Sequence, residues 1–168
     1  MPIMKNLTLY RILTWFLLII AGFLAFALLS LLVAALGNPL MLMPLLLFAA
    51  LVVYSVSSWN FLRKAIDAYQ YCKPSLRDTL RITGSISLFL AVISFANSLS
   101  LLIKPALLEQ AISQALEMQG KTVEGMETMF RQSIGVMVRF MLLYSTALFV
   151  HIIMTFRLLR EHADAFDA

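Results

Sequence analysis

Residues 12–36 read ILTWFLLIIAGFLAFALLSLLVAAL, 25 consecutive positions without a charged side chain. At about 1.5 Å per residue, a helix of that length crosses a hydrocarbon layer of about 30 Å. Lys5 and Arg11 precede the run, as in a secretory signal, but a signal's apolar region is only about 7–15 residues long. The A-x-A match of the N-terminal region, Ala25-Phe26-Ala27, lies inside the run rather than after it. A retained first span over about 12–36 is therefore expected.

Three further stretches meet the same test. Pro39–Leu62 is uncharged for 24 residues, Ile82–Ile103 for 22 and Phe140–Phe156 for 17. The last is short, so its helix should begin earlier, near 133, and carry Arg139 in its outer third. The expected spans are about 12–36, 39–62, 82–103 and 133–156. Backbone polar groups in lipid must be satisfied within the segment, which makes each span a helix. The expected fold is all-α, an integral membrane four-helix bundle forming a single membrane domain over 1–168.

Composition agrees. Apolar residues make up 61% of the chain and charged residues 13%, with a mean hydropathy of +0.89. Such a chain cannot coat a water-soluble core. Soluble enzymes, nucleic-acid binders and disordered chains are set aside. The net charge of +4 is spread over segments flanking the spans and forms no dense basic stretch, so no nucleic-acid partner is expected. Cys72 is the one cysteine and can form neither an internal disulfide nor a thiolate metal set.

Basic residues set the orientation. Lys5, Arg11, Arg63, Lys64, Lys73, Arg77, Arg81, Arg157 and Arg160 fall on one side, against Lys104, Lys121 and Arg131 on the other. By the positive-inside rule both termini are expected in the cytoplasm, with the chain in a plasma or inner membrane. Tyr10, Trp15, Tyr54 and Trp59 lie toward the cytoplasmic ends of their spans, as an aromatic belt requires.

The connections differ in length and chemistry. Gly37-Asn38-Pro39 reads as a tight external turn that makes the first two spans antiparallel neighbours. The internal connection, 63–81, places Phe61, Leu62, Ala65, Ile66 and Tyr69 at helical spacing before a break at Lys73-Pro74, and Ser75 with Asp78 resembles a capping box. This cytoplasmic hairpin carries Arg63, Lys64, Lys73, Arg77 and Arg81 against Asp67 and Asp78. These five basic residues are candidates for setting topology, anchoring lipid headgroups or docking an acidic partner. Glu161, Asp164 and Asp167 read as a solvated acidic tail.

The external connection from Lys104 to Arg131 is too long for an idle turn. Over 105–119, Leu107, Leu108, Ala111, Ile112, Ala115 and Leu116 form one apolar stripe opposite Glu109, Gln110, Ser113, Gln114 and Glu117. Gly120 is expected to end this amphipathic helix, with Thr122 capping the next. Its polar face carries no basic residue. Contact with its own bundle, a partner or a second copy fits that face better than an anionic lipid surface does. Leu107, Leu108, Ile112 and Leu116 are the candidate contact residues.

Polar groups inside the spans are Asn97, Arg139 and His151 among others, and the spans contain no Asp or Glu. An exchanger coupled to protons or cations would need such a carboxylate. Asn97 and Arg139 fall at similar depth and can pair; Arg139 can equally snorkel outward or attract an anion. His151 falls at the level of Tyr54, Ser55, Ser58 and Ser87, where a neutral imidazole can bond a hydroxyl between helices. Neither haem nor another cofactor is implied, because the other histidine, His162, lies in the tail. Ten methionines without accompanying cysteine or histidine do not make a metal site. No catalytic motif is present, so the chain is read as no enzyme. The expected function is a non-enzymatic accessory, assembly or scaffolding component, in contact with the bilayer and a membrane-protein partner or further copies of itself. The alternative is a small oligomeric transporter or channel using Arg139 and Asn97.

Overall fold

The computed structural model describes residues 3–119 and 126–166. It is α-helical, and no strand occurs among the described residues. The helices are α1 (Ile3–Gly37), α2 (Leu42–Phe61), α3 (Pro74–Ile103), α4 (Pro105–Gln119) and α5 (Met126–Glu161). Four stretches are long and apolar enough to cross a membrane: Leu7–Gly37, Pro39–Asp67, Pro74–Ile103 and Thr128–Glu161. Each exceeds the uncharged run that signals it, because a helix does not stop where the hydrocarbon does. Gly120, Lys121 and Thr122 lie outside the described residues, as does the side chain of Leu116.

The chain forms two compact units, 1–90 with 148–168, and 91–147. In the first unit, α1 and α2 pack along each other after a connection of four residues, 38–41. Helix α1 continues through Gly37, and Asn38, rather than the glycine, makes the turn. Its extended backbone (φ −146°) lets the side-chain oxygen accept from the Leu40 amide at 3.0 Å, and Pro39 opens a short 3₁₀ turn to Met41. Helix α3 approaches closely at Gly84, where a Cβ would lie 3.0 Å from the Phe156 ring of α5 and 3.4 Å from Tyr54 of α2. The outward surface of α1 is apolar, with Phe23, Phe26, Leu29, Val33 and Leu36 exposed. A surface of this kind belongs in lipid.

The hairpin departs from a simple helical extension. Helix α2 widens into a π-helical turn over Leu62–Asp67, closed by Ala68 N–H to the Arg63 carbonyl (3.2 Å) and Gln70 N–H to the Lys64 carbonyl (2.8 Å). Phe61, Leu62, Ala65 and Ile66 are buried, but Tyr69 takes a left-handed conformation (φ 50°) and is 85% exposed. The wide turn and the reversal rotate Tyr69 off the apolar face. Helix α3 begins at Pro74, one residue before the expected cap, so Ser75 and Asp78 lie inside its first turns. Proline suits that first position because its missing N–H has no partner to lose.

The C-terminal tail folds back on this hairpin. A 3₁₀ turn over Ala163–Phe166 brings the Ala165 carbonyl to the Cys72 amide at 2.8 Å. Phe166 stacks on Phe61 with centroids 5.9 Å apart, and the Arg77 guanidinium lies over the Phe166 ring, 5.8 Å from its centroid. Asp164 is exposed, as a solvated acid should be, but the tail is fixed by its aromatic residue. An ion pair of 2.6 Å from Arg11 to Asp67 ties α1 to the same hairpin.

In the second unit, α4 follows α3 after Lys104, and Glu109 of α4 pairs with Arg131 of α5. Ile112 is buried, Leu107 is 40% exposed and Leu108 lies between, while Glu109, Gln110, Ser113 and Gln114 are exposed.

Cys72 reports on the tail. It is buried, and burial pushes its thiol above the ordinary range, partly offset by nearby Lys64. In native protein a maleimide should label it slowly, with a pH midpoint above that of a free thiol. Phe166→Ala removes on the order of 3 kcal/mol of packing. It should therefore raise the labelling rate by about a hundredfold through local opening, and an unchanged rate would show that the tail does not cover the thiol.

Candidate functional site

Five buried polar residues of the first unit meet between three helices: Tyr10 and Thr14 of α1, Tyr54 of α2, and His151 and Thr155 of α5. Tyr10 and Thr14 are one turn apart, as are His151 and Thr155, so each helix presents its pair on one face. The Tyr10 ring stacks on the His151 imidazole at 4.7 Å and 3°, while Tyr54 meets it edge-on at 5.7 Å and 82°. The imidazole is enclosed by rings and hydroxyls.

Proton accounting assigns the imidazole. The Thr14 hydroxyl donates to the Tyr10 carbonyl at 2.8 Å, so its oxygen accepts from His151 Nε2–H at 2.9 Å. Nδ1 then accepts from the Tyr54 hydroxyl at 2.8 Å. Thr155 carries one proton and faces three oxygens: Tyr54 Oη at 3.0 Å, Tyr10 Oη at 3.3 Å and the His151 carbonyl at 2.9 Å. The arrangement is a neutral imidazole with its proton on Nε2, bonded at both nitrogens. Hydrogen bonds between helices in lipid contribute roughly 0.6–2 kcal/mol each.

The other hydroxyls at this level do different work. Ser55 donates to the Leu51 carbonyl and Ser58 to the Ser55 carbonyl, each at 2.9 Å within α2. Ser87 Oγ is buried with no hydrogen-bond partner among the described residues. Tyr10, Thr14 and Thr155 were missed by depth matching alone. The i, i+4 spacing of Tyr10 with Thr14 and of His151 with Thr155 is the signal that finds them.

Asn97 and Arg139 belong to the second unit, and both are exposed. No hydrogen bond joins them. Depth alone cannot pair two residues that point away from their helix contacts. The hairpin's basic residues do not form one cluster: Arg63 lies over the Trp59 ring at 4.8 Å, Arg77 over Phe166, and Lys64 and Lys73 share a cleft of about 400 Å³ with Asn60, Tyr71 and Ser75. Arg81 lines another cleft with Arg160. No cluster of three or more His, Cys, Asp or Glu that could hold a metal occurs among the described residues.

These features define an all-α membrane protein with four membrane-length helices. No family model, curated protein or solved structure matches the chain.

Tyr54→Phe leaves Nδ1 of His151 without its donor and should lower unfolding stability in micelles by about 1–3 kcal/mol. Ser87→Ala removes an unpaired buried hydroxyl and should be neutral or stabilising by about 1 kcal/mol. Equal losses in both variants would contradict the network.

Proposed function

We propose that this chain is a non-enzymatic accessory, assembly or scaffolding component of a plasma or inner membrane, with both termini cytoplasmic. The observation that carries this reading is the braced platform formed by the hairpin and tail. The ion pair from Arg11 to Asp67, the bond between Cys72 and Ala165, and the stacking of Phe61 on Phe166 hold a short segment outside the spans in one shape. That platform presents Arg63, Lys64, Tyr69, Tyr71 and Lys73 at its surface. A preformed surface binds a partner without the cost of ordering itself. The 105–119 helix supplies a second contact surface at Leu107 and Leu108, while Ile112 of the same stripe is already covered by the chain itself. Polar groups of the first unit's spans serve helix contacts, which suits a structural role.

One observation favours a second reading, an oligomeric transporter or channel. Arg139 is an exposed charge within a membrane-length helix, and association of copies would cover it. Asn97 would then meet it across an interface.

Native mass spectrometry after mild detergent extraction separates the two. The scaffold reading expects a hetero-complex of fixed stoichiometry, lost when Leu107 and Leu108 are both changed to Asp. A defined homo-oligomer instead, with anion flux in reconstituted vesicles that Arg139→Ala abolishes, would overturn it in favour of transport.

A further inference from the structure

We infer that the groove between α3 and α5 at the hairpin end of the first unit binds the phosphate of an anionic glycerophospholipid, with Arg81 and Arg160 as its ligands. The groove is lined by Arg81, Ser85, Phe156, Leu159 and Arg160 and has a volume of about 410 Å³. It joins two guanidinium groups from helices distant in sequence to an apolar strip formed by Phe156 and Leu159.

Arg11, Arg131 and Arg157 each hold a carboxylate, at Asp67, Glu109 and Glu161. Arg81 and Arg160 form no ion pair among the described residues, and no acid lines their cleft. Like charges sharing one cleft repel, and a shared anion reverses the sign of that interaction. Guanidinium forks match phosphate oxygens in a bidentate manner that an ammonium cannot.

Arg81 immediately precedes the uncharged run 82–103, and Arg160 follows the run that ends at Phe156. Both groups therefore stand at the level of lipid phosphates rather than in bulk water. Basic pockets between membrane helices are sites of this type. Phe156 lies one helical turn deeper than Arg160, where the first acyl carbons would run, which favours a lipid over a free phosphate ion; Leu159 is buried beneath the groove. Gly84 contributes indirectly, since its missing side chain lets the Phe156 ring sit against α3. The other basic residues of the hairpin are placed elsewhere, with Arg63 on Trp59, Arg77 on Phe166, and Lys64 and Lys73, whose ammonium groups lack the guanidinium fork, in a separate cleft. The groove thus concentrates in one place an attraction that charge counting spreads over the whole hairpin.

The test uses the full chain in mild detergent, titrated with phosphatidylglycerol or phosphatidylcholine, with bound lipid read by native mass spectrometry. The wild type should retain phosphatidylglycerol in preference to phosphatidylcholine. R81Q/R160Q should lower that retention about thirtyfold, since each basic residue at an anionic surface contributes about a factor of five. R63Q/K73Q, which removes the same charge outside the groove, should lower it far less. R81K/R160K keeps the charge and loses the forks, and should fall severalfold; it also serves if the glutamine variant does not fold. Equal retention of the two lipids, equal loss in R63Q/K73Q, or full retention in R81K/R160K would overturn the inference. Displacement of phosphatidylglycerol by millimolar inorganic phosphate would overturn the assignment to a lipid.

Discussion

An imidazole enclosed between membrane helices must have both ring nitrogens satisfied by protein, because lipid offers neither donor nor acceptor. The bonds from His151 to Thr14 and Tyr54 meet that requirement, and they fix three helices at once. Between lipid and a helix interface there is little hydrophobic difference to hold helices together, so directional contacts and close packing decide which helices meet. The stacked Tyr10 ring and the approach of α3 at Gly84 supply the packing. The hydroxyls of Tyr54 and Thr155 complete the polar set.

From that core the hairpin and tail follow. Helix α2 leaves the cluster at Tyr54 and reaches Phe61, whose ring receives Phe166 from the 3₁₀ turn that follows α5. Two contacts, polar inside the span and aromatic outside it, join α2 to α5 and to the tail that follows it. The π-helical turn adds one residue to the register and brings the chain to the Tyr69 reversal, after which Cys72 meets the tail. Basic residues are then sorted by what lies beneath them. Those over aromatic rings are held by cation–π attraction, and those lining clefts remain available to anions.

Much of this was legible in the sequence. Uncharged runs located all four membrane helices because charge is the costliest group to place in lipid. Helix ends were less legible, since a helix can continue past the hydrocarbon until a residue such as Pro74 or Asn38 intervenes. Depth matching brought Tyr54 to His151 but could not show which side of a helix faces inward, which is why Thr14 and Thr155 were missed and why Asn97 and Arg139 remain unjoined. The tail was read by its acids, while its fixed position comes from one aromatic residue, Phe166. Arg160 entered only as a topology charge, and its proximity to Arg81 depends on how α3 and α5 pack, which no local pattern encodes.

The most direct test of the central network is nitrogen-15 NMR of histidine-labelled protein in lipid nanodiscs. The chain has two histidines, and His162→Gln leaves His151 as the one signal. The account predicts a neutral ring protonated at Nε2, with that proton protected from solvent deuterium. A ring protonated at Nδ1, or an Nε2 proton that exchanges within the dead time, would contradict it.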